Sequence, residues 1–175
     1  FDLHQGDGTR RIFAADPQVV AASVHATAWD EEDLPYAVDD ALGSGVGDET
    51  YLDAVRRMID GALARGTPDL VFYVAGVDVA IDDTLGSWRV SPDAIAERDR
   101  LVLSAFWGKP CVMVMAGGYG PDAWRHTART LVWAMSGQDE PIPAARDLEL
   151  RQFRRVARSF GEDQLSGHVQ TDDDF

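Results

Sequence analysis

Short apolar runs alternate with longer amphipathic ones along the chain. Val19 to His25, VVAASVH, is rich in β-branched residues and predicts a strand. Residues 29–47 read as a loop, acidic first (Asp30, Glu31, Glu32, Asp33) and glycine-rich later, with a short strand expected near Tyr36 to Val38. Asp48 suits a helix N-cap. Tyr51, Leu52, Val55, Met58, Ile59, Ala62 and Leu63 then recur at helical spacing, and Gly66 with Pro68 closes the helix. Leu70 to Ala75, LVFYVA, is continuously apolar and predicts a strand buried on both faces. Ser91-Pro92 opens a second helix that runs to about Phe106. Cys111 to Met115, CVMVM, predicts another buried strand, and residues 117–120 a turn. A third helix is expected over Asp122–Met135, with Trp124, Thr127, Ala128, Leu131, Val132 and Met135 along one side. A fourth spans 144–160, with five arginines read as its solvated face, and the polar tail 161–175 is expected to be disordered.

Strands alternating with helices predict an α/β fold, three-layered around a parallel sheet, in one domain over residues 1–160. The 175 residues, 45% of them hydrophobic, suffice for one buried core. No apolar run approaches the ~18–20 residues of a membrane span, and no basic region leads into an apolar stretch. The sequence therefore predicts neither a membrane protein nor a secretory leader. Sixteen Lys and Arg face thirty Asp and Glu, a net charge of −14. Such a surface repels phosphate backbones, so nucleic acid is not expected as a partner; it keeps a protein soluble and can attract cations. Cys111 is the only cysteine, which suits a reducing, cytoplasmic compartment.

In a parallel sheet, ligand sites gather in loops past the C-terminal ends of strands. The loop at 2–9 reads DLHQGDG. Asp2 and His4 stand two apart, so on an extended strand end they point the same way and can converge on one cation. An isolated Asp-x-His is also common as a loop acid beside a packed histidine. The loop at 75–86 reads AGVDVAIDDTLG and places Asp78 three residues beyond the apolar strand. Asp78 can complete a three-ligand site for zinc, with iron(II), manganese and cobalt open, or it is a solvated acid. The loop at 115–120, MAGGYG, carries Tyr119, whose phenol can donate to a developing oxyanion or be an ordinary turn residue.

Taken together and in this order, DLHQGDG, AGVDVAIDDTLG and GGYG resemble the zinc-dependent histone deacetylase family, including bacterial and acetoin-utilization-type deacetylases. GSGVGDETYLDAV at 43–55 and LGSWRVSPDAIAERDRLVL after Asp78 add to the resemblance, which runs from Asp2 to about Ser136. It implies an arginase/deacetylase-like fold and a deacetylase that releases acetate from acetyl-lysine peptides or acetylated polyamines. It implies that Asp2, His4 and Asp78 bind zinc and that Tyr119 stabilises the tetrahedral intermediate. Asp7 matches an acid that orients a catalytic histidine, and Leu85 and Gly117 match positions lining the acyl-lysine channel. Phe13, Asp16, Val19 and Ser23 match positions around structural potassium sites.

The family's adjacent His-His pair lies upstream of the first motif and has no counterpart in this sequence, nor do the first strands of its sheet. The resemblance thus implies a C-terminal part of the domain, with little turnover by itself. Two rivals differ in kind. An arginase-like manganese hydrolase would carry another acid where Gly6 stands. A degenerate domain that only binds partners would have no need of an intact ligand trio.

Overall fold

The computed structural model describes residues 1–29 and 32–139. The expected helix at 144–160, the tail and the domain limit at residue 160 lie outside the described residues. The elements are α1 (Asp7–Ile12), β1 (Ala21–His25), β2 (Ala37–Ala41), α2 (Asp48–Leu63), β3 (Val71–Ala75), α3 (Pro92–Ala105), β4 (Cys111–Met115) and α4 (Ala123–Ser136). β1 pairs with β2 and β3 with β4, both in parallel. The extended segment Phe1–His4 joins the two pairs. The Phe1 nitrogen donates to the Val74 carbonyl (2.9 Å), and Gly76 N donates back to Phe1 O (2.8 Å). On the other side Ala26 N donates to Leu3 O (2.9 Å), and His4 bridges Thr27 in parallel. Hydrogen bonding therefore runs β2, β1, residues 1–4, β3, β4. The chain steps outward in one direction and then in the other, so the switch point falls between residues 1–4 and β3.

The core is made by α2 and α3 on one face of this sheet. Tyr51, Ala54, Val55 and Met58 of α2 meet Ile95 and Val102 of α3, with Tyr73 and Ala75 of β3 beneath them. Ser91 caps α3 as its sequence predicts, accepting from Ala94 N at 3.2 Å, with Pro92 at the first turn. Asp48 does something else. It is the first helical residue of α2, and its carboxylate accepts from Ser91 N and Ser91 Oγ, both at 2.7 Å, tying the two helix starts together.

A charged knot lies inside this core. Arg98 is fully buried; its Nε donates to Asp99 Oδ1 (2.7 Å), and its Nη1 to Tyr51 Oη (3.1 Å) and the Gly76 carbonyl (2.5 Å). Asp99 also accepts from the hydroxyls of Tyr73 and Thr130. Three of its five N–H donors are matched and Nη2 has no hydrogen-bond partner, so the Asp99 counter-charge is what makes burying the guanidinium tolerable.

Several expectations need correction. β3 and β4 are not buried on both faces: Phe72 is 66% exposed, and Val74, Val112 and Val114 are open on the same side. α2 and α3 cover the other face, which carries Tyr73 and Ala75. The buried side of α4 carries His126, Thr127 and Thr130, while Leu131, Val132 and Met135 are exposed, because Thr130 reaches the Asp99 knot and His126 lies 3.4 Å from Asp82. Part of the loop at 2–9 is the start of α1. β2 extends three residues past Val38 through Asp39 and Asp40, which are matched by Arg10 (2.5 Å) and Arg57 (2.8 Å). Among the described residues no helix is long and apolar enough to cross a membrane.

Candidate metal centre

The switch point holds the three residues singled out for a cation. Strand alternation sends Leu3 into the core and leaves Asp2 and His4 on the opposite side. Asp78 arrives from the adjacent strand end. His4 Nδ1 lies 3.1 Å from Asp2 Oδ1 and 3.0 Å from Asp78 Oδ2, and one ligand atom of each residue falls within 4.8 Å of the others. Main-chain donors orient both acids: Leu3 N to Asp78 Oδ1, His4 N to Asp2 Oδ1 and Gly117 N to Asp2 Oδ2, each 2.9 Å. Glycines make the room. A Cβ on Gly117 would overlap Asp78 Oδ2 and lie 2.8 Å from Asp2 Oδ2; one on Gly76 would overlap the Asp2 carboxylate.

The electrostatics are unbalanced without a cation. Burial, together with the neighbouring Asp2 charge, pushes Asp78 up to about 6, against the Leu3 N–H that favours its ionised form. Burial also raises Asp2, but the N–H groups of His4 and Gly117 and the His4 ring outweigh it and hold Asp2 below the usual carboxylate range. Asp78 Oδ2 is buried and accepts no hydrogen bond, while the nearby His4 Nδ1 is paired with Asp2 Oδ1. A buried acceptor without a donor, facing a second carboxylate and an imidazole, is the donor set of an open divalent site. The trio therefore fits zinc or iron(II). The Asp78 side chain is fully covered whereas that of His4 is 41% exposed, so the cluster opens to solvent on the His4 side. Trp29 flanks that side, its ring 5.6 Å from the imidazole.

The third loop meets this cluster through its main chain. Gly117 donates to Asp2 and accepts from Val77 N at 2.6 Å, so it forms part of the wall behind the ligands. Tyr119 follows two residues later and is 51% exposed. Leu85, at 70% exposure, stands on the adjoining loop. These loops are fastened by a residue that the sequence reading missed. Asp83 accepts from Leu85 N (2.9 Å) and Gly86 N (2.7 Å) on one oxygen, and from Tyr119 N (2.6 Å) and Gly120 N (3.2 Å) on the other. Its bonds to Leu85 and Gly86 form an Asx turn that Asp-Thr-Leu-Gly could have signalled; no local pattern announces the bond to Tyr119.

The remaining expected residues are scattered more loosely. Asp7 opens α1. None of the three described histidines pairs with it: His4 sits in the trio, His25 Nδ1 meets Ser23 Oγ at 3.1 Å, and His126 lies against Asp82. Phe13, Asp16 and Val19 share one stretch of turns, in which Phe13 O accepts from Asp16 N (3.0 Å) and Asp16 O from Val19 N (3.2 Å). Ser23 lies apart from them on β1.

The family model of the histone deacetylase domain matches residues 1–135. The chain belongs to the histone deacetylase family, as its motifs suggested. An uncharacterized protein of Picosynechococcus is 36% identical over 133 residues, 72% of this chain and 44% of that protein. Among solved structures, an HDAC homolog complexed with SAHA superposes with a TM-score of 0.69 at 25% identity, covering 81% of this chain and 41% of its own. An acetylpolyamine aminohydrolase from Burkholderia pseudomallei gives 0.66 at 26% identity, covering 74% and 41%. The α/β fold with parallel strands is thus that of the deacetylases. The chain spans less than half the length of each of these proteins.

Proposed function

We propose that this chain carries the metal centre and the oxyanion donor of a zinc-dependent deacetylase that hydrolyses an acetylated amine to acetate and free amine. The observation that carries the reading is the buried, donorless Asp78 Oδ2 set against Asp2 and His4 in a histone deacetylase domain. Asp2, His4 and Asp78 hold the ion, and zinc, once bound, supplies Lewis acidity toward the acetyl carbonyl and lowers the pKa of water. Tyr119 donates its phenolic hydrogen to the oxygen on which charge develops, worth about 2–4 kcal/mol by analogy with oxyanion-hole donors. Leu85 and the side-chain-free Gly117 border the acyl channel. Asp7 matches the acid that orients a catalytic histidine, a partner that none of the three described histidines supplies, and Phe13, Asp16, Val19 and Ser23 contribute to potassium sites that stiffen the α1–β1 turn region.

Acetyl-lysine peptides and acetylated polyamines are the substrate classes, supported by the acetylpolyamine aminohydrolase likeness and by a net charge of −14 that attracts cations. None of the three described histidines is placed to take the proton of the attacking water, because His4 is a ligand and His25 and His126 are buried against other partners. The reading therefore includes slow turnover by this chain alone. Elemental analysis paired with an acetate-release assay tests it. We expect about one zinc per chain, lost in Asp78→Asn and kept in Tyr119→Phe, with the slow acetate release abolished in both variants. Absence of metal in the unaltered chain overturns the metal assignment, and release unaffected by Tyr119→Phe overturns the oxyanion role.

A further inference from the structure

We propose that Asp83 is a positioning residue that locks the Tyr119 loop to the Leu85 loop, so that oxyanion donor and channel wall are set as one unit. This rests on the roles given above to Tyr119 and Leu85. Both residues are largely exposed, so side-chain packing does not hold them in place. The restraint is in the main chain. The Asp83 carboxylate takes the N–H groups of Leu85 and Gly86 on Oδ1 and those of Tyr119 and Gly120 on Oδ2. Thr84 Oγ1 donates to the Tyr119 carbonyl at 3.0 Å, so Tyr119 is gripped at both its N–H and its C=O from one dipeptide.

The backbones are in contact there as well. A Cβ on Gly120 would come within 2.7 Å of the Asp82 carbonyl oxygen. At the other end of the two loops Val77 N donates to Gly117 O, and Gly117 N to Asp2. The Tyr119 segment is therefore pinned on one side to the metal trio and on the other to Asp83. Neighbouring Asp82 faces His126 of α4, which steadies the same stretch from a third direction. Four donors on one carboxylate favour its charged form: burial raises the Asp83 pKa, but the N–H groups of Tyr119, Leu85, Gly86 and Gly120 prevail and hold it low. The anion is thus retained in the working pH range as the hub of the two loops.

Amide hydrogen exchange resolved by NMR, on Asp83→Asn and Thr84→Val, tests this. The Asn side chain keeps one acceptor and turns an NH2 toward the other pair of N–H groups. In Asp83→Asn we expect the Tyr119 and Gly120 amides to exchange about ten- to a hundredfold faster, as the loss of a charge-assisted hydrogen bond implies. Exchange in α3 and zinc stoichiometry should not change. Thr84→Val, which removes one neutral bond to the Tyr119–Gly120 peptide and leaves the acid in place, should accelerate exchange at Gly120 and Tyr119 by less. In acetate release, Asp83→Asn should lower kcat. Unchanged exchange at Tyr119 and Gly120 overturns the proposal. So does acceleration that extends equally through α3, which would mark Asp83 as a folding residue only. A chain without acetate release defeats the deacetylase reading, and the exchange rates still decide the role of Asp83.

Discussion

Replacing Asp99 by alanine strips the buried Arg98 guanidinium of its counter-ion and leaves the Tyr73 and Thr130 hydroxyls without their acceptor. Removing one member of a buried ion pair costs about 3–5 kcal/mol, because the other charge stays behind uncompensated. Against a domain stability of about 5–15 kcal/mol this is a large fraction. With a urea m-value of about 2 kcal/mol/M, the unfolding midpoint should fall by about 2 M. Trp88 is a built-in reporter, since it is buried and its ring stacks edge-on to Tyr51, 5.5 Å away, beside the knot. The fluorescence of the five tryptophans, Trp88 among them, and the far-UV circular dichroism should move together. The double variant Arg98→Met/Asp99→Ala removes both charges and should be less destabilised than Asp99→Ala alone, with Arg98→Met closing the cycle. A midpoint shift of Asp99→Ala below about 0.5 M, or single losses that simply add, would refute the account of a charge stranded in the core.

Two further outcomes follow from other sites. Burial holds the His25 pKa below the ordinary histidine range, with Asp39 opposing and Arg10 reinforcing the shift. The folded state therefore favours neutral His25, and the His25 contribution to stability should be constant above about pH 6.5 and decline as the pH falls from there toward the folded pKa; the difference in urea midpoint between the unaltered chain and His25→Gln, followed from pH 7.5 to 5, measures this, and a difference that does not change with pH would refute it. Gly117→Ala forces a methyl group against Asp78 Oδ2 and Asp2 Oδ2. Zinc affinity, read by competition with a chromophoric chelator, should drop about 10–100-fold without a change in circular dichroism, and equal affinity in the two proteins would remove the case for a glycine cradle.

Much of the fold is legible in the sequence where a local signal and the tertiary context agree. Ser91-Pro92 caps α3, the apolar positions of α2 recur on its buried face, and LVFYVA and CVMVM are strands. The clustering of Asp2 and His4 is legible because alternation on a strand end is enough to aim them together. α1 escapes notice because it is six residues without an apolar stripe. The other failures depend on partners distant in sequence. β2 carries two aspartates that only Arg10 and Arg57 make tolerable in a strand. The polar inner face of α4 is explained by Asp99 and Asp82 on other elements. Asp83 reads as a turn acid until the fold brings Tyr119, 36 residues later, onto its second oxygen.

The segment Phe1–His4 is both the middle of the sheet and the carrier of two of the three side chains clustered as Asp2, His4 and Asp78. The hydrogen bond from Phe1 to Val74 closes a loop of 73 residues, and without that closure β1–β2 and β3–β4 are two separate ribbons. Closing the loop costs chain entropy that grows with its length, so this junction is the costly step in assembling the sheet. Asp78 meets Asp2 and His4 only once it is made. A cation held by the trio is thus a thermodynamic clamp on the seam: at a hundredfold excess over its dissociation constant it would add about 2.7 kcal/mol to the closed state. Ion occupancy and sheet integrity then become a single equilibrium, and each can be followed by measuring the other.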